Sequence, residues 1–335
     1  LAFDPNVLAA QANYIFETTA QYTDPLANLN YGPAQTGALG LHHGATGAGQ
    51  RIVVIDSGVD LEHPELAGRI SSHADLTNQG WSADAHGTAT AGIIAANANN
   101  QIGGFGVAPD AELMVLKACQ PKEPGSLAAK CWTSSLVKAL DLAITGGAKL
   151  INMSLAGPPD ALLERMIGLA LQQGALVVAA SGNGGPYANP SYPAAIAGVV
   201  AVTAVDARQR LYGQANLGAY IDLSAPGVDI PTPAPGGQIR SVSGTSMAAA
   251  HVVGIAALLQ ELSPFMSGLE LRGAVINHVT DLGDPGRDVR FGAGLVDACA
   301  AARTLTADAV MCEEDLEPSP FLIDELAAPE QGEES

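Results

Sequence analysis

The chain has 335 residues, 47% of them apolar and only 4% aromatic, so it can bury a sizeable core built mainly from small side chains. Its formal net charge is −19, from 15 Lys and Arg against 34 Asp and Glu. That balance excludes the basic surface needed to neutralise a phosphate backbone, so no nucleic-acid partner is expected. No unbroken run of 18 apolar residues occurs, so no segment reads as a membrane span.

Residues 1–50 are mixed and rich in Ala, Gly and Asn. The β-branched run Arg51-Ile52-Val53-Val54-Ile55-Asp56 then predicts a buried parallel strand that delivers Asp56 to its C-terminal end. Small residues predict a helix over 86–96, and an apolar run predicts a strand over 112–117. Helical spacing over 134–145 puts Leu136, Ala139, Leu140 and Ala143 on one face. A strand follows over 150–154, then a helix over 160–173 stopped by Gly174. Strands are expected over 175–180 and 199–205, and helices over 246–262 and 269–278. This alternation predicts an α/β fold of three layers, a mostly parallel sheet with helices on both faces. Ligands bind such sheets beyond the carboxyl ends of the strands, where Asp56 and the loop Ser181-Gly182-Asn183-Gly184-Gly185 fall.

The four cysteines, Cys119, Cys131, Cys299 and Cys312, form two close pairs in sequence. Pairing 119–131 with 299–312 is the simplest of three connectivities, and four buried thiols are the alternative. Disulfides would imply an oxidising compartment, hence a secreted or periplasmic protein. Acidic residues crowd the end, from Glu313 through Glu334, so residues 305–335 are expected to be a solvated, flexible tail. The chain opens Leu1-Ala2-Phe3, without Met or an export leader, and is expected to be processed or truncated.

Three segments carry chemistry: Asp56-Ser57-Gly58-Val59-Asp60; His86-Gly87-Thr88-Ala89-Thr90-Ala91-Gly92; and Ser243-Gly244-Thr245-Ser246-Met247-Ala248. A serine hydroxyl is a weak nucleophile near neutral pH and needs a base within hydrogen-bond reach. His86 can take and return its proton, and Asp56 can orient the ring and stabilise the imidazolium. In the order Asp, His, Ser, on a strand end and two helix starts, these motifs resemble the subtilisin family. Any one motif alone would read as a turn residue, a structural histidine or a helix cap.

The resemblance spans most of residues 48–300 and implies a serine endopeptidase acting through an acyl-enzyme on protein or peptide substrates, with broad, apolar P1 preference. It assigns Asp56, His86 and Ser246 as the triad and the Asn183 amide, beside the Ser246 N–H, to the oxyanion. Ser154, Leu155, Ala156 and Gly157, with Ala180 and Gly182, would line the substrate cleft. The loop Asn97-Ala98-Asn99-Asn100-Gln101-Ile102-Gly103-Gly104 resembles the family's calcium loop, so structural Ca²⁺ is expected on Ala98, Asn100, Ile102 and Gly104. Glu65 stands where the family has an Asp ligand. Asn13-Tyr14-Ile15-Phe16-Glu17 resembles the end of an inhibitory propeptide, giving a remnant over 1–20 of a zymogen, a catalytic domain over 21–304, and a monomer by family habit. Departures are Ala89-Thr90, where His-Val is usual, Ala156 for Gly, and Ala250 for Pro. Two other functions compete. A peptide-capturing pseudoprotease is opposed by the intact triad, and an esterase by the absence of a Gly-x-Ser-x-Gly elbow around Ser246.

Overall fold

A computed structural model describes residues 22–305. Two short helices, α1 (Tyr31–Gln35) and α2 (Ala38–Leu41), lead into β1 (Arg51–Asp56). Then come β2 (Ile70–Asp75), α3 (Ala85–Ala95), β3 (Glu112–Lys117) and the small strands β4 (Cys119–Pro121) and β5 (Ala129–Cys131). The middle of the chain gives α4 (Thr133–Thr145), β6 (Leu150–Met153), α5 (Ala161–Gln172), β7 (Leu176–Ala180), β8 (Val200–Val205) and β9 (Leu223–Pro226). A second hairpin, β10 (Ile230–Ala234) and β11 (Gln238–Val242), precedes α6 (Thr245–Leu262) and α7 (Gly268–Asn277). The short strands β12 (Val279–Thr280) and β13 (Leu295–Val296) and the helix α8 (Ala298–Leu305) follow.

Nine strands form one sheet in the order β12-β13-β9-β8-β7-β6-β1-β3-β2, parallel except for the β12–β13 pair. Alternate side chains of the strands enter two separate cores. Ile52 and Val54 of β1 face a core shared with α3, α6, α7 and α8, whereas Val53 and Ile55 face one shared with α4 and α5. The three-layer α/β fold is thus the expected one. The order reverses at β1, flanked by β6 and β3, and the crevice at such a reversal lies beyond the strand ends. Asp56, ending β1, and Ser154, following β6, therefore meet.

All ten predicted elements are present within a residue of their expected ends. The β2 strand went unforeseen because Ser71, Ser72 and His73 are exposed and give no apolar run. β10 was masked by its own prolines, Pro231 and Pro233, which an isolated two-stranded ribbon tolerates. Helix α6 is long and apolar enough to cross a membrane, but it is packed inside the core, buried from Thr245 to Gln260. Ala250 sits in its uninterrupted run. The 1–20 remnant, the acidic tail beyond Leu305 and the partner proposed for Cys299, Cys312, lie outside the described residues.

Candidate active site

His86 is the second residue of α3. Its ring reaches Asp56 because that helix starts hard against the turn after β1. A Cβ on Gly87 would come within 2.6 Å of the Ser57 and Gly58 carbonyls, so only glycine permits the approach. Thr88 Oγ1 adds a tie, donating to Asp84 O (2.7 Å) and accepting from Asp60 N (2.9 Å). His86 Nδ1 donates to Asp56 Oδ1 at 2.7 Å, and Ser57 N donates to the same oxygen at 2.6 Å. Asp56 is 2% exposed, and among the described residues its Oδ2 has no hydrogen-bond partner. Burial disfavours charge on His86, but the Asp56 carboxylate outweighs it by charge and hydrogen bond, so the imidazole pKa is raised above its ordinary 6.5.

Ser246 lies in the first turn of α6, on the same cleft. Its hydroxyl donates to Ser154 O (3.1 Å), and Ser154 Oγ donates back to Ser246 O (2.9 Å). Among the described residues no hydrogen bond joins Ser246 Oγ to His86 in this resting state. Asn183 sits beyond the end of β7. Thr245 donates to its Oδ1 from both N and Oγ1, each at 3.0 Å, which fixes the amide's orientation and leaves Nδ2 as the outward donor. The cleft has a volume of about 640 Å³ and is lined by Asp56, His86, Asn183 and Ser246 together.

A hydroxyl at a helix start, an imidazole held by a buried carboxylate and an amide donor are groups that can carry out acyl transfer. The sequence model of the subtilase family matches residues 47–294. The chain is 37% identical over 308 residues to M-protease of Shouchella clausii (strain KSM-K16), covering 90% of this chain and 76% of that protein. It is 39% identical over 266 residues to Subtilisin Savinase of Lederbergia lenta, covering 78% and 94%. With Subtilisin E of Bacillus subtilis (strain 168) it shares 35% over 307 residues, covering 90% and 76%.

The chain belongs to the subtilase family. It is a subtilisin-like serine-type endopeptidase, and its substrates are proteins.

In this subtilase the remaining expected cleft residues, Leu155, Ala156, Gly157, Ala180 and Gly182, line the same cavity as Ser154. Gly157 is engaged through its backbone, as Gly182 is through Thr245 Oγ1 and Asn216 N. The Gly157 N–H and C=O are both taken by Tyr192, at 2.8 and 2.9 Å, so its backbone is not open to a substrate strand. Gly182 adopts φ +105°, and a Cβ there would meet Asn216 Nδ2 and Ser191 Oγ at 2.6 Å.

The loop over 97–104 curls tightly, with positive φ at Asn99, Gln101 and Gly103. Asp24 secures its outside by accepting from Asn99 N (2.7 Å) and Gln101 N (3.0 Å). Asn100 Nδ2 donates to Glu65 Oε1 at 2.8 Å, and Asn100 Oδ1 accepts from Ile102 N at 2.9 Å. Glu65 is fully buried, its Oε2 has no hydrogen-bond partner among the described residues, and burial pushes its carboxyl up to about 7. Among the described residues the carbonyls of Ala98, Ile102 and Gly104 accept no hydrogen bond.

One feature of the site escaped the sequence reading. Lys117 pairs with Asp56 across the β1–β3 register and is 1% exposed. Its ammonium donates to Gly80 O (2.8 Å) and Ser82 Oγ and lies 3.8 Å from Asp84 Oδ2. Asp84 in turn accepts from Gly58 N at 2.9 Å, tying the segment before His86 to the turn after Asp56. The only signal was a lysine closing an apolar strand. The expected Cys119–Cys131 disulfide is present and joins the β4–β5 hairpin across directly paired positions.

Proposed function

We propose that Ser246 is the nucleophile of this endopeptidase, His86 its general base and then acid, and Asp56 the group that orients His86. The observation that carries the reading is the 2.7 Å bond from His86 Nδ1 to Asp56 Oδ1 at the edge of the cleft that holds Ser246. That bond fixes the tautomer in which Nε2 is unprotonated and can accept the hydroxyl proton. Ser246 Oγ leaves the Ser154 carbonyl, passes its proton to His86 Nε2 and attacks the scissile carbonyl. Such bonds tighten only in the Michaelis complex. Asn183 Nδ2 and the Ser246 N–H stabilise the oxyanion, with the N-terminal dipole of α6 behind them. His86 returns the proton to the leaving amine, and water then hydrolyses the acyl-enzyme. Leu155, Ala156 and Ala180 make the cleft wall apolar, which favours a broad, apolar P1 side chain.

The same reading gives the loop over 97–104 a Ca²⁺ ion. The residues fit it: a fully buried carboxylate with one orphaned oxygen, beside three unbonded carbonyls, is a donor set for a hard cation. Glu65, Ala98, Asn100, Ile102 and Gly104 would hold the ion, which supplies charge neutralisation and takes no part in the reaction. The Cys119–Cys131 disulfide supports action in an oxidising compartment, secreted or periplasmic.

The test is intact mass after treatment with a fluorophosphonate. Wild type should gain one stoichiometric adduct, and Ser246→Ala none. A folded wild-type protein that takes no label and cleaves no casein would overturn the assignment.

A further inference from the structure

The β4–β5 hairpin brings charge to the cleft that the acyl-transfer apparatus does not use. Lys122 and Lys130 both line the cavity that holds Ser246. They are two of the five lysines in a chain of net charge −19. Gln120 pairs with Lys130 in the hairpin register, and Lys122 N bonds Ala128 O at 2.8 Å, so the two lysines are diagonal neighbours on one face. Among the described residues neither ammonium has a carboxylate within ion-pair distance. Two like charges held side by side without a counter-ion favour an anionic visitor.

The two carboxylates of the cleft wall, Asp56 and Asp160, have partners of their own. Asp56 is committed to His86. Asp160 also lines the cavity, but its carboxylate accepts from Thr133 Oγ1 and from the N–H groups of Leu162 and Leu163, capping α5. Glu123 stands next to Lys122 on the exposed turn and is not part of the cleft wall. The hairpin is also held in place. Its strands are joined by the disulfide, Gln120 Nε2 reaches Thr77 Oγ1 at 3.4 Å, and Arg240 reaches the Gly125 carbonyl at 3.4 Å. A fixed backbone keeps the two lysines next to each other, so less ordering is left for a bound peptide to impose.

We propose that Lys122 and Lys130 form a cationic wall of the substrate cleft and select peptides bearing an acidic side chain at the subsite beside the hairpin. The inference rests on the endopeptidase reading of the Ser246 cleft and adds a substrate class to it. The chain's overall negative charge works against acidic substrates at long range, so the selection acts at contact distance and is sensitive to salt.

The experiment uses internally quenched peptides with one fixed scissile bond. Glu or Gln is placed in turn at each position from four residues before the bond to three after it. Wild type should cleave the Glu peptide with a kcat/KM roughly 3- to 10-fold above its Gln twin at one or two positions, the range expected for one or two exposed ion pairs. The ratio should fall toward one at high salt. Lys122→Gln/Lys130→Gln should bring it to one at low salt, and Lys122→Glu/Lys130→Glu should invert it, which misfolding cannot mimic. A wild-type ratio of one at every position, or a ratio that survives either double variant, overturns the proposal. Failure to cleave any peptide overturns it too, and the fluorophosphonate adduct then reports separately whether Ser246 is active.

Discussion

Ser246, His86 and Asp56 are ordinary side chains made unusual by their surroundings. Asp56 keeps a carboxylate in a nearly water-free place because His86 and the Ser57 N–H hold one of its oxygens. The same carboxylate raises the His86 pKa against the effect of burial. The base must be neutral to accept a proton, so kcat/KM should rise with pH and reach half its plateau above the ordinary imidazole value of about 6.5. A pH–rate profile with its acid limb below that value would contradict the ion pair. Asn183 is fixed through its oxygen by Thr245, so its amide donor is set before substrate arrives. Asn183→Ala should lower kcat on the order of 10²–10³-fold with little change in KM, a range established on a subtilisin. Steady-state kinetics on a neutral peptide would check it, and a loss confined to KM would refer Asn183 to substrate binding instead.

At the scale of elements, two helices carry buried imidazoles. His42, at the end of α2, donates from Nε2 to Val107 O (2.8 Å) and accepts from the Tyr22 hydroxyl (2.6 Å). His251, inside α6, donates to Met247 O at 2.8 Å. Burial lowers both to about 4. A folded-state value below the ordinary 6.5 means that the fold disfavours the proton. The stability these groups contribute is complete above pH 6.5 and is lost as pH falls toward 4. Imidazole NMR signals should therefore remain those of neutral rings down to about pH 5, and protonation of either ring near pH 6.5 in the folded state would refute the burial argument. The hairpin of β4 and β5 depends on a disulfide that spans 12 residues. Closing a loop of that size restrains the unfolded chain by about 2–3 kcal/mol. Cys119→Ser/Cys131→Ser should lower unfolding free energy by that much and blur selectivity between peptides, measured by denaturant melts and by peptide competition. Unchanged selectivity would make the hairpin a structural appendage.

At the scale of the molecule, the loop over 97–104 joins Asp24 near the start of the described chain to Glu65 beneath α3. Glu65 needs either a proton or a cation. Its pKa is raised from 4.5 to about 7, so without a cation its contribution is favourable at low pH and is lost as pH rises between those values. Chelation should therefore lower the melting temperature more at pH 8 than at pH 5.5, and Glu65→Gln should remove that difference. Melts that are indifferent to chelator at both pH values would exclude the ion.

The sequence by itself determined the family, the α/β alternation and the candidate chemistry. β-branched runs and small-residue helices have distinct periods, and the motifs around Asp56, His86 and Ser246 are local strings that need no partner to be read. It also exposed the Cys119–Cys131 pairing as the simplest option. Only the tertiary structure decided which side chains meet. Lys117 and Asp84 bracket the Asp56–His86 pair through contacts between residues far apart in the chain, and nothing in a lone lysine or aspartate announces that. The commitment of Gly157 to Tyr192 is likewise a matter of which backbones come to lie side by side. β2, β10 and β11 form because neighbouring strands supply their hydrogen-bond partners, not because their own residues favour strand. Lys122 and Lys130 come to line one cleft only through the hairpin register and the fold around it, because a charge acquires a function only from what faces it.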